Sequence, residues 1–240
     1  MADTSLSEER DRLDRVARDS WYAESANAAG ILYCANVFAR YFTGSHCLEL
    51  GPAEGLMTDH LVRHFAHVTA VDGSAVFGEK LRERLPKVTV VNALFEEYEP
   101  QQKFDTIVLG HVLEHVDNPV DILVRAKAWL APEGVICCAV PNARSVHRQA
   151  AVIMGMLAIE NQLNDTDRHH GHRRVYDPEL FRAEFTRAGL KIAAYGGYWM
   201  KPLSNSQIES QWTPQMLYAF LQLGERYPDI AAEIYVVAKL

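Results

Sequence analysis

The chain has 240 residues, 48% apolar and 23% charged, with a formal net charge of −7. That length supports one large α/β domain with its own core. An acidic chain has no bulk attraction for nucleic acid or for an anionic membrane, so neither is an expected partner.

The amino-terminal segment MADTSLSEERDRLDR is polar and lacks the apolar stretch of a secretory leader. The longest apolar run, Ala150 to Ile159, is too short to span a bilayer. Cys34, Cys47, Cys137 and Cys138 form no CxxC pair. Cys137 and Cys138 are adjacent in a β-like run, so their side chains point to opposite faces and do not easily bridge. All four are read as reduced core thiols of a cytoplasmic protein.

Residues 7–42 read as helices, the second from Ala28 to Phe42 with apolar residues at helical spacing. From His46 short apolar strands alternate with amphipathic helices. Strands are expected at 46–50, 67–72, 87–92, 104–110 and 134–140, with helices at 56–65 and 75–85 between the first three. Asn118 has the chemistry of a helix cap, with Pro119 at the first helical position, and that helix runs to Leu130. After Pro141 the alternation breaks. A helix is expected over 143–160 and a polar loop over 161–176. Asp177 then caps a helix over 178–189, followed by a strand over 190–198, a helix over 213–226 and a last strand within 230–239.

This pattern predicts an α/β fold: a mostly parallel, Rossmann-like seven-stranded sheet with helices on both faces. One domain fills residues 1–240. It has an amino-terminal helical cap (1–45), a cofactor-binding core (46–140), a helical substrate lid inserted after the fifth strand (141–176) and the rest of the sheet (177–240).

The segment from Cys47 to Gly55 puts Glu49 near the end of the first strand, follows it with a turn bounded by Gly51 and Gly55, and starts a helix at once. Glycines let backbone approach a ligand closely, and a helix amino terminus offers unpaired N–H groups. The spacing is GxxxG, not the GxGxxG of dinucleotide folds. Asp72 ends the second strand, twenty-one residues beyond Gly51, where a carboxylate can accept ribose hydroxyls.

LELGPAEG at 48–55, VDGS at 71–74, FDTIVLGHVLEHVDNP at 104–119 and GVICCAVPN at 134–142 together resemble the class I S-adenosylmethionine-dependent methyltransferases, in their small-molecule branch. The resemblance runs from Tyr33 to Lys239, with Ala53 where that superfamily usually has glycine. It implies S-adenosyl-L-methionine as cofactor. It places Glu49 and Gly51 beside the methionine part, with Gly55 closing the turn. Asp72 binds the ribose, and Gly73 and Ser74 border the adenine. Leu94 and Phe95 pack against adenine and offer a backbone N–H. Gly110 and His111 lie near the reactive methyl.

A hydroxyl acceptor needs a base beside the methyl donor, and histidine titrates near working pH. His111 is one candidate, with wall of the methionine pocket as its plainer role. Glu114 and His115 support the same turn. The segment 165–176 carries His169, His170 and His172 with Arg168, Arg173 and Arg174, and resembles GHxRxY segments near acceptor sites. His170 and His172 are the further candidate bases. Asp165, Asp167, His169 and His172 are metal-ligand types, but their spacing is no recognised zinc pattern, and no metal is expected.

Arg144, His147, Arg148 and Arg173, with Arg174, are candidates for binding an anionic acceptor, since guanidinium forks suit phosphate and carboxylate. Ordinary ion pairing is the competing reading. Tyr22, with Trp21, is expected either to close over the cofactor cleft or to lie in the core. The expected activity is O-methylation of a small molecule, in secondary metabolism or surface-glycan synthesis. A small-molecule N-methyltransferase and a non-catalytic cofactor-binding or interaction protein are the alternatives. The partner is a small-molecule substrate, with homo-oligomerisation left open.

Overall fold

Alternating strands and helices require a parallel sheet, and the computed structural model, which describes residues 2–20 and 23–240, contains one. Its strands are β1 (His46–Leu50), β2 (His67–Asp72), β3 (Thr89–Asn92), β4 (Phe104–Gly110), β5 (Leu130–Pro141), β6 (Lys191–Tyr198) and β7 (Glu233–Lys239). Their order is β3-β2-β1-β4-β5-β7-β6. The first five pair in parallel, and β7 runs antiparallel to both β5 and β6. The chain steps outward from β1 in both directions, to β2 on one side and β4 on the other. Such a reversal opens a crevice outside the carboxyl end of β1, where open α/β sheets bind ligands.

Ten α-helices are seen among the described residues: α1 (Ala2–Arg18), α2 (Ser25–Ala39), α3 (Leu56–Leu61), α4 (Ala75–Arg84), α5 (Pro119–Trp129), α6 (Val146–Ile153), α7 (Asp165–His169), α8 (Pro178–Arg187), α9 (Asn205–Gln211) and α10 (Pro214–Leu223). Side chains alternate across a strand, so each face of the sheet carries its own apolar layer. One layer holds Phe38, Leu61, Val108 and Cys137, and the other Leu50, Ile107, Leu123, Cys138 and Phe181. The adjacent cysteines therefore face apart. All four cysteines are buried free thiols. No helix of the described residues is long and apolar enough to cross a membrane.

Three expectations need correction. The helix expected over 143–160 is α6 alone. Ser145 precedes it, and Gly155, with φ +73°, lies just past its end, a backbone state that glycine adopts without steric cost. The segment expected to be all loop contains α7, whose amino end is a capping box between Asn164 and Asp167. The short helix α9 was not anticipated. It too has a capping box, Ser204 with Gln207, but it buries only Ile208, so no apolar period announces it.

Candidate active site

The crevice at the end of β1 is lined by Glu49, Gly51, Glu54, Gly55, Gly110 and His111, with Cys34 from α2 on its other side. The turn after β1 is unusual backbone. Gly51, Ala53 and Gly55 have φ values of +66°, +47° and +79°. A methyl group on Gly51 would stand 3.0 Å from the Val112 side chain, and one on Gly55 would collide with Arg84 and Leu81. Gly55 is thus required by φ and by packing under α4. Ala53 holds a left-handed conformation despite its Cβ, a local strain of about 1 kcal/mol.

Glu49 is 2% exposed and accepts a hydrogen bond from the Thr58 hydroxyl at 2.6 Å. Burial, reinforced by Asp72 and Asp59, pushes its carboxyl up to about 8. A carboxyl in that state is stabilised as the anion by an arriving cation. Asp72, at the end of β2, accepts the Ser74 N–H at 2.8 Å and the Ala53 N–H at 3.4 Å. Burial raises it to about 6, so it is mostly ionised at neutral pH. It ties the two loops together and fits a ribose diol through its remaining acceptor capacity.

Gly73 follows, and a Cβ there would meet Leu13 at 2.5 Å and Leu94 at 2.8 Å. Helix α1 therefore covers this end of the crevice. The Ser74 hydroxyl donates to Asp14 at 2.7 Å, Arg10 pairs with Glu97, and Ser20 meets Glu54. Leu94 lies beside Gly73, and its N–H, expected to be offered to adenine, points to Glu97 Oε2 at 3.3 Å. The Phe95 ring lies beside the Gly51 turn.

At the other end, His111 leaves β4 with φ +61°, its N–H held by the Ala139 carbonyl at 2.9 Å. Its Nε2 lies 3.1 Å from the Tyr198 hydroxyl. Its Nδ1 lies 3.4 Å from Glu114 and 3.8 Å from Glu233. Burial disfavours the protonated ring, but Glu233 and Glu114 outweigh burial and raise its pKa. Glu233 and Tyr198 come from β7 and β6, and sequence reasoning missed both. Neither strand carries a recognisable motif, and only the antiparallel return of β7 brings them to β4. Lys201 was missed as well. Burial lowers it to about 8, and Glu233 and Asp167 are among the charges that act on it.

His172 lies against the turn after β4. Its ring is edge-on to His115 at 4.8 Å, and its Nδ1 is 3.4 Å from Asp167. His170 is buried, and burial lowers it to about 4. Tyr22, with Trp21, lies outside the described residues.

The arginines do not gather into a shared open anion site. Arg144 pairs with Glu179. Arg148 is 5% exposed and binds the Glu160 and Gln162 carbonyls and Asp167. Arg173 holds Glu9, Asp117 and the His115 carbonyl, and Arg174 the carbonyls of Leu113 and Asp117. The intramolecular reading accounts for these contacts, because each fork is already satisfied by protein acceptors. His147 is held neutral by burial, at about 3. Asp165, Asp167, His169 and His172, the ligand types noted in the sequence without a metal being expected, do not gather as a set of four. His169 turns to the Asp19 carbonyl, while Asp167 serves Arg148 and the α7 cap.

A family model described as a methyltransferase domain matches residues 22–195. The ubiquinone biosynthesis O-methyltransferase of Pasteurella multocida (strain Pm70) is 27% identical over 219 residues, covering 82% of this chain and 89% of that one. The trans-aconitate 2-methyltransferase of Paracidovorax citrulli (strain AAC00-1) is 34% identical over 104 residues, 42% of this chain and 40% of that one. Among solved structures, the N-methyltransferase NodS of Bradyrhizobium japonicum WM9, in complex with S-adenosyl-L-homocysteine, superposes with a TM-score of 0.63. The two share 13% identity over 95% of this chain and 96% of that one. A methyltransferase from Mesorhizobium loti gives 0.64 at 16% identity, covering 90% and 100%.

Proposed function

Because the chain belongs to the methyltransferase-domain family, within the class I S-adenosylmethionine-dependent superfamily, we propose that it methylates a hydroxyl group of a small molecule at the His111 end of the crevice. The cofactor is S-adenosylmethionine, which supplies an electrophilic methyl group on a sulfonium. The observation that carries the O-directed reading is His111. It lines the crevice, and its ring stands between the Tyr198 hydroxyl on one nitrogen and two carboxylates on the other. That arrangement suits a general base: a carboxylate fixes the tautomer and strengthens the imidazole as proton acceptor. The relative named an O-methyltransferase along most of its length supports the same choice.

In this reading Glu49 and the Gly51 turn hold the cofactor's amino-acid end, Asp72 its ribose, and Gly73, Ser74, Leu94 and Phe95 its adenine. Helix α1 shields the Gly73 end of the crevice from water. Held there, the cofactor would supply its methyl group to the acceptor oxygen and leave as S-adenosylhomocysteine, while His111 would take the hydroxyl proton. Positioning carries much of the barrier reduction, and the base contributes roughly 10²–10⁴-fold. With the arginine forks engaged, the acceptor needs no fixed negative charge.

The test is methyl transfer from S-adenosylmethionine to a panel of small phenols, alcohols and amines, followed by product mass. Transfer to a hydroxyl, lost a hundredfold or more in His111→Ala, supports the reading. Transfer confined to amines, with His111→Ala at full rate, overturns it.

A further inference from the structure

The hydrogen bonds described above leave one cluster beside the crevice unexplained. Glu114 is fully buried; the His111 and His115 rings stand 3.4 Å and 4.0 Å from it, yet neither of its carboxylate oxygens accepts a well-formed hydrogen bond. His172 is also interior, with 6% of its side chain exposed, and neither ring nitrogen makes a hydrogen bond. A buried carboxylate without well-formed hydrogen bonds is costly unless a charge satisfies it. His115 completes the group and is the most accessible member, at 28% side-chain exposure. One ligand atom from each of Glu114, His115 and His172 lies within 4.8 Å of the others.

From this geometry we propose that Glu114, His115 and His172 form a binding site for a divalent transition-metal cation of the zinc type, at the acceptor end of the crevice. The donors come from two segments that are far apart in sequence but clamped together. The Arg173 N–H donates to the Glu114 carbonyl at 2.7 Å, and the Arg173 Nε to the His115 carbonyl at 2.7 Å. Small side-chain rotations close that spread onto one ion at about 2.0–2.2 Å. Asp167 stands 3.4 Å from His172 Nδ1, the outer carboxylate that commonly orients a ligating imidazole and leaves Nε2 to the metal. Two imidazoles with one carboxylate suit zinc and its first-row neighbours, whereas magnesium and calcium prefer oxygen alone. Three protein ligands also leave a coordination position open.

Glu114 touches His111, which lines the cofactor crevice, so the cation would lie one side chain beyond it. There it would not touch the acceptor but would draw on the Glu114 carboxylate that supports His111, and so tune the basicity of that ring. That role rests on the O-methylation reading; binding of the cation does not.

The experiment titrates chelator-treated full-length protein with Zn²⁺ by calorimetry and with Co²⁺ by visible absorption, without any acceptor. One equivalent should bind with Kd below about 10 μM. His115→Ala and His172→Ala should each weaken it at least about tenfold, the usual scale of losing a metal contact. Binding of S-adenosylhomocysteine within about threefold of the parent certifies that a variant is folded. If neither variant folds, the parent decides alone, and a strong visible Co²⁺ band showing low-coordinate geometry is the expected result. Weaker parent binding, Zn²⁺ affinity unchanged in both folded variants, or no Co²⁺ band would overturn the site. Failure of hydroxyl methylation with intact metal binding would sink only the O-methylation reading.

Discussion

The Thr58 hydroxyl on α3 donates to the Glu49 carboxylate on β1 at 2.6 Å, inside a crevice where burial holds Glu49 at about 8. Glu49 is therefore largely protonated at pH 7 before any ligand arrives. S-adenosylhomocysteine carries an ammonium group that, placed beside Glu49, favours the anion. Binding at pH 7 should release up to about one proton. Calorimetry in buffers of different ionisation enthalpy measures this, and Glu49→Gln should abolish most of the release. A buffer-independent heat in the parent contradicts the placement of Glu49.

The same shift has a stability consequence. The folded-state pKa of Glu49 lies above its ordinary value of 4.5. Between about pH 4.5 and 8 the unfolded chain therefore holds fewer protons at this position, and Glu49 lowers stability as pH rises. Glu49→Gln should flatten that part of the ligand-free stability profile and raise Tm at pH 8. Parallel profiles for parent and variant would count against the buried, protonated carboxyl.

Ala53→Gly is expected to stabilise the ligand-free protein. Its φ of +47° is strained for alanine and free for glycine. Relief of about 1 kcal/mol of strain exceeds the added chain entropy of glycine by up to about 0.5 kcal/mol. Denaturant unfolding reads this directly, and a loss of similar size would mean that the turn is not left-handed there.

Much of this was legible in the sequence because it is local. The LELGPAEG turn and the Asp72 strand end announce their backbone needs through glycine, alanine and carboxylate spacing. Apolar alternation gives the sheet, including Cys137 and Cys138 on opposite faces. What was not legible depends on the distant return of the chain. Glu233 and Tyr198 reach His111 only because β7 inserts antiparallel between β5 and β6. The contacts of α1 with Ser74 and Glu97 join residues 60 or more positions apart, and no periodicity marks them. The arginines could be listed from composition, but whether each fork already had a partner required the structure.

Arg148 and Arg144 should behave oppositely. The buried Arg148 fork secures two carbonyls and Asp167, so Arg148→Ala leaves Asp167 without its cation and costs about 3–5 kcal/mol. Arg144 pairs with Glu179 at the surface, where such pairs contribute little. Arg144→Ala should leave Tm within a degree or two of the parent. Equal losses, or a selective rise in acceptor KM for Arg144→Ala, would return these residues to substrate binding.

Helix α1 covers the end of the crevice proposed for adenine, with Leu13 over Gly73 and Asp14 on Ser74. Asp14→Ala should speed S-adenosylhomocysteine dissociation severalfold with little change in association, because affinity changes within one interface fall mostly on the off-rate. Stopped-flow fluorescence measures both rates. An unchanged off-rate would mean that α1 does not cover the bound cofactor.

Binding of S-adenosylhomocysteine to the parent and to Asp72→Ala, side by side in one calorimeter, addresses the central claim that this crevice holds the cofactor. Asp72 ends β2 and is buried, ionised at neutral pH and fixed by the Ser74 N–H at 2.8 Å. Its removal leaves the ribose hydroxyls without a charged acceptor, at about 1.5–3 kcal/mol per lost bond. The prediction is one equivalent bound by the parent and an affinity at least about tenfold weaker in a variant that still unfolds cooperatively. Equal affinity in the two proteins would contradict the assignment of the cofactor to this crevice.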